Sequence, residues 1–329
     1  MKSIFLFLLV VMIATSCKKD KTLEHEIAKI NTDVQIERFD KLFSKVTSNK
    51  LVDIKRAYPF MFSEKYPDSF WLAKAKDTLQ IQLFNEVDKV FLDIEDTETE
   101  IESLFNHLKY YFSEFNSPRI ITTTNDVDHR NRIIVTDTIV VIALDSYLGS
   151  NHEFYGSIAN FLKVNLIKEQ IVVDLANEYA KKHTYHPERK TLLDEMIYFG
   201  KLLYFKDVMV PFKTEAERIG YSEAELNWAI TNESYIWRFL VSRELLFSTD
   251  SKLPRRFINP APFSKFYLEG VDADSPGRLG QYIGWHIVRA YMEQNKASLI
   301  ARLIKSTEVS LNNSKFKARK SVQIQELLK

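Results

Sequence analysis

The sequence predicts an α+β fold that is predominantly helical and carries one small β-sheet. Apolar residues at helical spacing recur along most of the chain, whereas β-branched runs are confined to about residues 119–144. The 329 residues include only 8 Gly and 9 Pro, which argues against a repeat-rich β architecture. Residues 192–205 are apolar almost all round a helical wheel, which is typical of a helix buried on every side.

The first residues have the pattern of a bacterial lipoprotein signal peptide. Lys2 supplies a positive charge, an apolar run covers residues 4–13, and Ala14-Thr15-Ser16-Cys17 resembles a lipobox. The apolar run is too short to span a bilayer comfortably. We therefore predict a signal peptide at 1–16, lipidation of Cys17, a lipidated tether at 17–33 and a single globular domain at 34–329.

Composition excludes several classes of function. Cys17 is the only cysteine, so a chain acylated there has no thiol left for a disulfide, a nucleophile or a metal ligand. The formal net charge of +1 gives no reason to expect a nucleic-acid partner. We expect the membrane to be contacted through the lipid.

The elements follow from hydrophobic periodicity. Helical patterns cover residues 34–46, 71–92, 100–115, 192–205, 222–247 and 276–295. Strand patterns cover residues 119–124, 132–136 and 138–144, with turn residues between them, so at least one hairpin is expected. Pro187 is a candidate first residue of the central helix, and Pro211 follows its end. Gly280 and Gly284, one turn apart, predict close helix packing at a place where a side chain would clash.

Three stretches resemble the GldB family of gliding-motility lipoproteins from Bacteroidota envelopes. They are IALDSYLG with the following HEFY at 142–155, EMIYFGKLLYFKDVMVP at 195–211, and SPGRLGQYIGWHIVRAYM at 275–292. IERFDKLF at 36–43 and the lipobox also fit the family. The resemblance implies an envelope lipoprotein required for gliding, with no established catalytic activity.

The order of elements is also similar to a zincin-type metallopeptidase scaffold. In that scaffold an HExxH helix follows a small sheet and supplies two zinc ligands and a general base, and the next helix supplies a Glu ligand. Here the first helix reads VVDLANEYA at 172–180, with no histidine, and Phe199 stands where the Glu is expected. The resemblance implies a degenerate zincin-like architecture without enzymatic activity, metal or cofactor.

Two rival functions remain open. A metal-dependent hydrolase or peptidase with an atypical site would use His183 and His186, completed by Glu178 or Glu195; the alternative for this pair is a polar surface between helices. A nutrient-binding lipoprotein would use exposed aromatic residues such as Trp228 and Trp237. Asp194 and Lys201 either form a buried charged pair at a cleft or reach solvent at the domain edge.

The leading hypothesis is a lipid-anchored, non-enzymatic envelope component that binds other envelope or gliding-machinery proteins. No acidic run follows Cys17, and we expect the domain to face the periplasm.

Overall fold

The computed structural model describes residues 22–184, 190–268 and 270–294. The predicted signal peptide, Cys17, His186, Pro187 and the C-terminal residues after 294 lie outside these ranges. The described chain starts with a short helical segment at residues 22–27. Ile27 in this segment is only 2% exposed and packs into the largest hydrophobic core. A residue of the segment that we assigned to the tether therefore packs into the core, and the boundary at residue 34 stays a prediction.

Helices account for most of the described residues. In chain order they are α1 Phe39–Ser44, α2 Ser48–Ala57, α3 Asp68–Ala75, α4 Thr78–Val90, α5 Glu95–Tyr111, α6 Asn160–Lys163, α7 Ile171–His183, α8 Leu192–Met209, α9 Glu215–Ile219, α10 Glu223–Ser242, α11 Leu253–Phe257, α12 Val271–Asp274 and α13 Leu279–Gln294. Short 3-10 turns lie at Pro59–Met61, Leu144–Ser146, Glu153–Tyr155 and Lys168–Gln170.

One mixed sheet has four strands in the order β1-β2-β4-β3. The strands are β1 Ile36–Glu37, β2 Arg119–Thr123, β3 Ile133–Val135 and β4 Ile139–Ala143. β1, β2 and β4 are parallel, and β3 pairs antiparallel with β4 at one edge of the sheet. The predicted α+β fold, with a small sheet at about 119–144 and a hairpin within it, is confirmed.

Two predicted helices are wrong in their extent. The pattern at residues 34–46 predicts one helix, but Ile36 and Glu37 pair with β2, so the helix begins only at Phe39. Hydrophobic spacing within so short a stretch cannot reveal pairing with a strand that is distant in the sequence. The pattern at residues 71–92 also predicts one helix. It is split there, because the Asp77 side chain accepts hydrogen bonds from the backbone N–H groups of Leu79 and Gln80 and starts α4.

Helix α8 contributes to both large hydrophobic cores. The first core joins α5, the sheet and α7, and Met209 from the end of α8 packs into it. The second core joins α8, α10 and α13 through residues such as Met196 and Leu203. The apolar wheel of residues 192–205 therefore reflects a helix with neighbours on most of its faces, as the sequence predicted.

The first turn of α8 is fixed by a capping box. The Thr191 hydroxyl accepts from the backbone N–H of Asp194, and the Asp194 carboxylate accepts from the backbone N–H of Thr191 and of Lys190. α8 therefore starts at Leu192. Asp194, which we considered for a charged pair at a cleft, caps this helix.

Helices α8 and α13 are in direct backbone contact at two glycines, Gly200 and Gly284. A Cβ atom built on Gly200 would lie 2.2 Å from the carbonyl oxygen of Gly284, and one built on Gly284 would lie 1.8 Å from that of Met196. A Cβ on Gly280 would lie 2.9 Å from the carbonyl oxygen of Phe257. The close packing predicted for Gly280 and Gly284 is confirmed.

In the part of the chain that the structure describes, no helix combines the length and the apolarity needed to cross a membrane.

We predict that Gly284→Ala destabilises the domain, since its methyl group has to push the two helix backbones apart. Overpacking of this kind typically lowers the free energy of unfolding by about 1–3 kcal/mol. Gly156→Ala is the matched control, because its Cβ would meet nothing closer than 3.4 Å and its φ of −56° suits alanine. Urea unfolding of the purified protein measures both changes. Equal effects of the two substitutions would contradict the α8–α13 contact.

Candidate functional site

A polar cleft of about 280 Å³ opens beside strand β3, and we call it the edge cleft. Helix α7 forms the first wall, residues 129–133 form the second, and the turns that precede α10 and α13 form the third. The polar side chains that line the cleft are His129, Arg130, Arg132, Asn165, Asp174, Asn177, Glu178, Lys181, Tyr221, Glu225 and Arg278. Convergent polar groups in a concave surface are typical of a binding site.

Helix α7 supplies its polar stripe to the first wall. Asp174, Asn177, Glu178 and Lys181 are spaced i, i+3, i+4 and i+7, which places them on one face. The apolar residues of α7, among them the fully buried Leu175, pack into the first core. The amphipathic pattern of α7 thus directs its charged side chains toward the edge cleft.

Both carboxylates on this face are paired with cations of the same chain. Arg132 forms a bidentate ion pair with Asp174. Its Nε lies 2.8 Å from Oδ2, and its Nη2 lies 2.9 Å from Oδ1. The Tyr147 hydroxyl donates to Asp174 Oδ2 at 2.9 Å. Burial raises the pKa of Tyr147 well above its ordinary value, so its hydroxyl stays protonated and remains a donor. Glu178 Oε1 lies 2.5 Å from Lys181 Nζ.

A buried carboxylate fixes the loop that leads into β3. Asp145 is fully buried, and its carboxylate accepts from the backbone N–H groups of Asn125, at 3.0 Å, and Val127, at 2.8 Å. Val127 has a φ of 60°, which is unfavourable for a β-branched residue and persists where surrounding contacts enforce it. Burial raises the pKa of Asp145 to about 6. This carboxylate therefore holds the second wall in place.

The third wall is held by Arg278. Its guanidinium donates to the carbonyl oxygen of Ile219 at 2.7 Å and to that of Gly220 at 2.8 Å, and it lies 5.2 Å from the centre of the Tyr221 ring. Its backbone φ of 61° is in the left-handed region. These contacts tie the turn before α13 to the turn before α10.

Lys206 is buried on α8, close enough to the cleft residues Asp174 and Arg278 for their charges to influence it. Its ammonium group donates to the carbonyl oxygen of Arg218. Burial lowers the pKa of Lys206 to about 7, and the negative charge of Asp174 opposes this shift only in part.

Of the residues considered for an atypical metal site, Glu178 lines the edge cleft, whereas His183 and Glu195 lie outside it. The His183 ring, in the last turn of α7, stacks on Phe112 at 4.2 Å and on Phe205 at 6.1 Å, and burial lowers its pKa to about 4. Glu195 is half-buried in the first turn of α8. Among the described residues, no three His, Cys, Asp or Glu side chains are grouped to hold a metal ion. His186 lies outside the described residues, so this alternative stays untested.

The aromatic residues considered for nutrient binding are less accessible than we expected. Trp228 and Trp237 are each half-buried and pack against the second core. They therefore do not form a freely exposed aromatic platform.

The comparison with known families decides where this chain belongs. A family model described as gliding motility protein GldB matches residues 20–318, which include the whole described domain. The chain belongs to this family. No curated protein and no solved structure matches it. The zincin-like architecture that its motifs suggest therefore stays a prediction.

Sequence reasoning missed most of the residues that build the edge cleft in this GldB-family protein. Asp145 and Tyr147 stand in the stretch IALDSYLG, and Arg278 stands in SPGRLG, so the motifs were noted without their roles. Asp145 had a usable signal, since it directly follows a buried strand. No local sequence signal indicates the role of Arg132, because only the tertiary fold determines which carboxylate this arginine pairs with.

We predict that Arg132→Met lowers the free energy of unfolding by about 2 kcal/mol, because it leaves Asp174 without its main cation. This is below the value for a fully buried pair, since the two side chains keep 23% and 16% of their exposure. Arg130→Met, at an exposed position beside it, is the control and should change stability by less than about 0.5 kcal/mol. Urea unfolding compares the two, and an equal loss in both variants would contradict the structural role of the ion pair.

We predict that Lys206 makes the protein more stable as pH rises above 7. Between the folded pKa of about 7 and the ordinary value of 10.5, the unfolded state binds the proton and the folded state does not. The free energy of unfolding therefore rises with pH in this window, by up to about 1.4 kcal/mol per unit. Urea unfolding at several pH values should show a steeper rise in the wild type than in Lys206→Met. Parallel pH profiles for the two proteins would contradict a depressed pKa.

Proposed function

We propose that this GldB-family protein is a lipid-anchored, periplasm-facing envelope component that acts in gliding by binding other envelope or motility proteins, without catalysing a reaction. Membership of a gliding-motility family gives the biological process. The lipobox at Cys17 gives the anchor. The edge cleft offers a surface for recognition.

The Arg132–Asp174 ion pair is the observation that favours binding over catalysis. Asp174 and Glu178 occupy positions i and i+4 of the helix that the zincin resemblance aligns with HExxH. A divalent cation at Asp174 would have to displace both nitrogens of Arg132 and the Tyr147 hydroxyl. It would leave a partly buried arginine without its counter-charge, which is unfavourable. Leu175, where the general base would stand, is buried in the core.

The anchor places the domain close to the bilayer. Thr22, the first described residue, is helical and is five residues after Cys17 in the sequence. Five residues span at most about 18 Å when fully extended. Partners of this protein are therefore expected to be other proteins at the same membrane surface.

We predict that Cys17→Ala releases the protein from the membrane fraction and abolishes its capture of motility proteins and its support of gliding. The test is affinity capture of the full chain from crosslinked cells, with Cys17→Ala beside the wild type and spreading on agar as the motility measurement. Motility proteins recovered only with the anchored wild type support the proposal. Wild-type protein that captures no envelope protein, or Cys17→Ala that captures them equally, contradicts it.

Metal analysis of the same preparations separates the hydrolase alternative. The non-enzymatic proposal expects no stoichiometric zinc in the purified protein. Zinc bound one to one, and lost in His186→Ala but retained in the control His25→Ala, would favour the atypical metal site instead. His25 is a suitable control because it is exposed in the helical segment at residues 22–27.

A further inference from the structure

We propose that the domain makes a second contact with the bilayer, through exposed aromatic side chains at the end of the sheet where β1 and β2 begin. Phe60, Tyr66 and Phe70 form this surface, which we call the aromatic patch. The inference rests on the proposed lipid anchor and specifies how the domain sits on the membrane. It follows from the exposure of these rings, from the place where the chain from the anchor enters the fold, and from the charge around the patch.

The aromatic patch exposes three large rings from one short stretch of chain. Phe60 is 43% exposed, Tyr66 38% and Phe70 39%. The rings of Tyr66 and Phe70 stack at 4.3 Å, and both make edge contacts with the half-buried Trp71. Trp71 contacts the buried Phe62 at 5.1 Å. Tyr66 and Phe70 are therefore held at the surface by rings that connect them to the core.

The aromatic patch lies at the end of the sheet where the parallel strands begin. Arg119 is the first residue of β2, and its guanidinium lies 5.7 Å from the centre of the Phe60 ring. Lys55 and Asp68 form an ion pair at 2.6 Å, which joins the last turn of α2 to the first turn of α3. Phe70 belongs to that first turn of α3. Both parts of the patch are thus connected to the same end of the domain.

The chain from the anchor enters the fold at this end. Ser117, two residues before β2, donates to the carbonyl oxygen of Thr32 at 3.2 Å, and the Thr32 hydroxyl donates to Asn106 at 2.9 Å. Nearer the anchor, Glu24 lies 3.3 Å from His107, the residue that follows Asn106 on α5. The five residues between the anchor and the first described residue span at most about 18 Å. A lipid at the predicted position therefore holds this end of the domain close to the bilayer.

The chemistry of the patch fits the boundary between hydrocarbon and headgroups. Exposed aromatic rings accompanied by cations are the side chains that proteins place there. The stretch Ser48–Ala75, which carries the patch, contains five cations and three carboxylates. Even without Lys74, which pairs with Asp126, the cations remain in excess. Headgroup phosphates therefore meet no excess of negative charge at this surface.

The contact would direct the edge cleft away from the bilayer. The second wall of the cleft, residues 129–133, follows the end of β2 at Thr123 and leads into β3. It therefore lies at the opposite end of the parallel strands from the aromatic patch. A strand of five residues separates the two ends by about 17 Å. The lipid alone leaves the domain free to rotate about its tether, whereas a second contact at the same end fixes the cleft in a position open to partners.

A single fluorescent label tests the contact, because an acylated chain has no other thiol. Ser69→Cys introduces one at an exposed position beside Phe70, and Ser234→Cys, exposed on α10, is the matched control. Each full lipidated protein is labelled with the dye NBD and reconstituted into vesicles of phosphatidylethanolamine and phosphatidylglycerol, with and without a lipid that carries a nitroxide at the headgroup. The label at position 69 is expected to be quenched at least about fivefold more strongly than the label at position 234.

Removal of two rings of the patch completes the design. Tyr66→Ser combined with Phe70→Ser, in the Ser69→Cys background, is expected to reduce quenching to the level of the control label. Circular dichroism checks that this variant is folded. The matched double variant is Ile230→Ser with Tyr235→Ser, which removes side chains that are 51% and 39% exposed on α10. It should leave quenching at position 69 unchanged.

The outcomes separate this inference from the proposed anchor. Strong quenching at position 69 alone, lost in the patch variant, supports the contact. Equal quenching at both positions, no quenching in vesicle-bound protein, or full quenching in the folded patch variant shows that the contact is wrong while the anchor stands. A blue-shifted but unquenched label at position 69 shows that protein covers the patch, and it also overturns the bilayer contact. If the wild type does not float with vesicles and its Cys17 is unmodified by mass spectrometry, the proposed anchor and this inference fail together.

Discussion

The backbone contact between α8 and α13 is the constraint on which the rest of the domain depends. Only at Gly200 and Gly284 do these helices approach so closely that a single Cβ would meet a backbone carbonyl. The approach allows Asp207, near the end of α8, to accept from Trp285 Nε1 at 2.8 Å and from Arg289 Nε at 2.6 Å. A network of a carboxylate, an arginine and an indole N–H needs this geometry to satisfy every buried group.

This contact also connects the elements that form the walls of the edge cleft. The first and second walls, on α7 and the sheet, belong to the first hydrophobic core. The third wall, with Arg278 immediately before α13, is attached to the second core. Helix α8 packs into both cores, so the packing of α13 on α8 contributes to the position of Arg278 relative to Asp174. Stability at the glycine contact and geometry at the candidate site are therefore coupled.

Sequence periodicity was sufficient for elements whose burial is local, and insufficient for contacts between distant elements. It predicted the helical pattern of α5, the apolar wheel of α8, a hairpin in the sheet and the packing glycines, because each of these leaves a local pattern in the chain. It failed for β1 and for the break at Asp77, where a two-residue pairing or one capping side chain outweighs the hydrophobic pattern. The edge cleft was not predicted for the same reason. Arg132 and Asp174 are 42 residues apart, and only the fold brings them together.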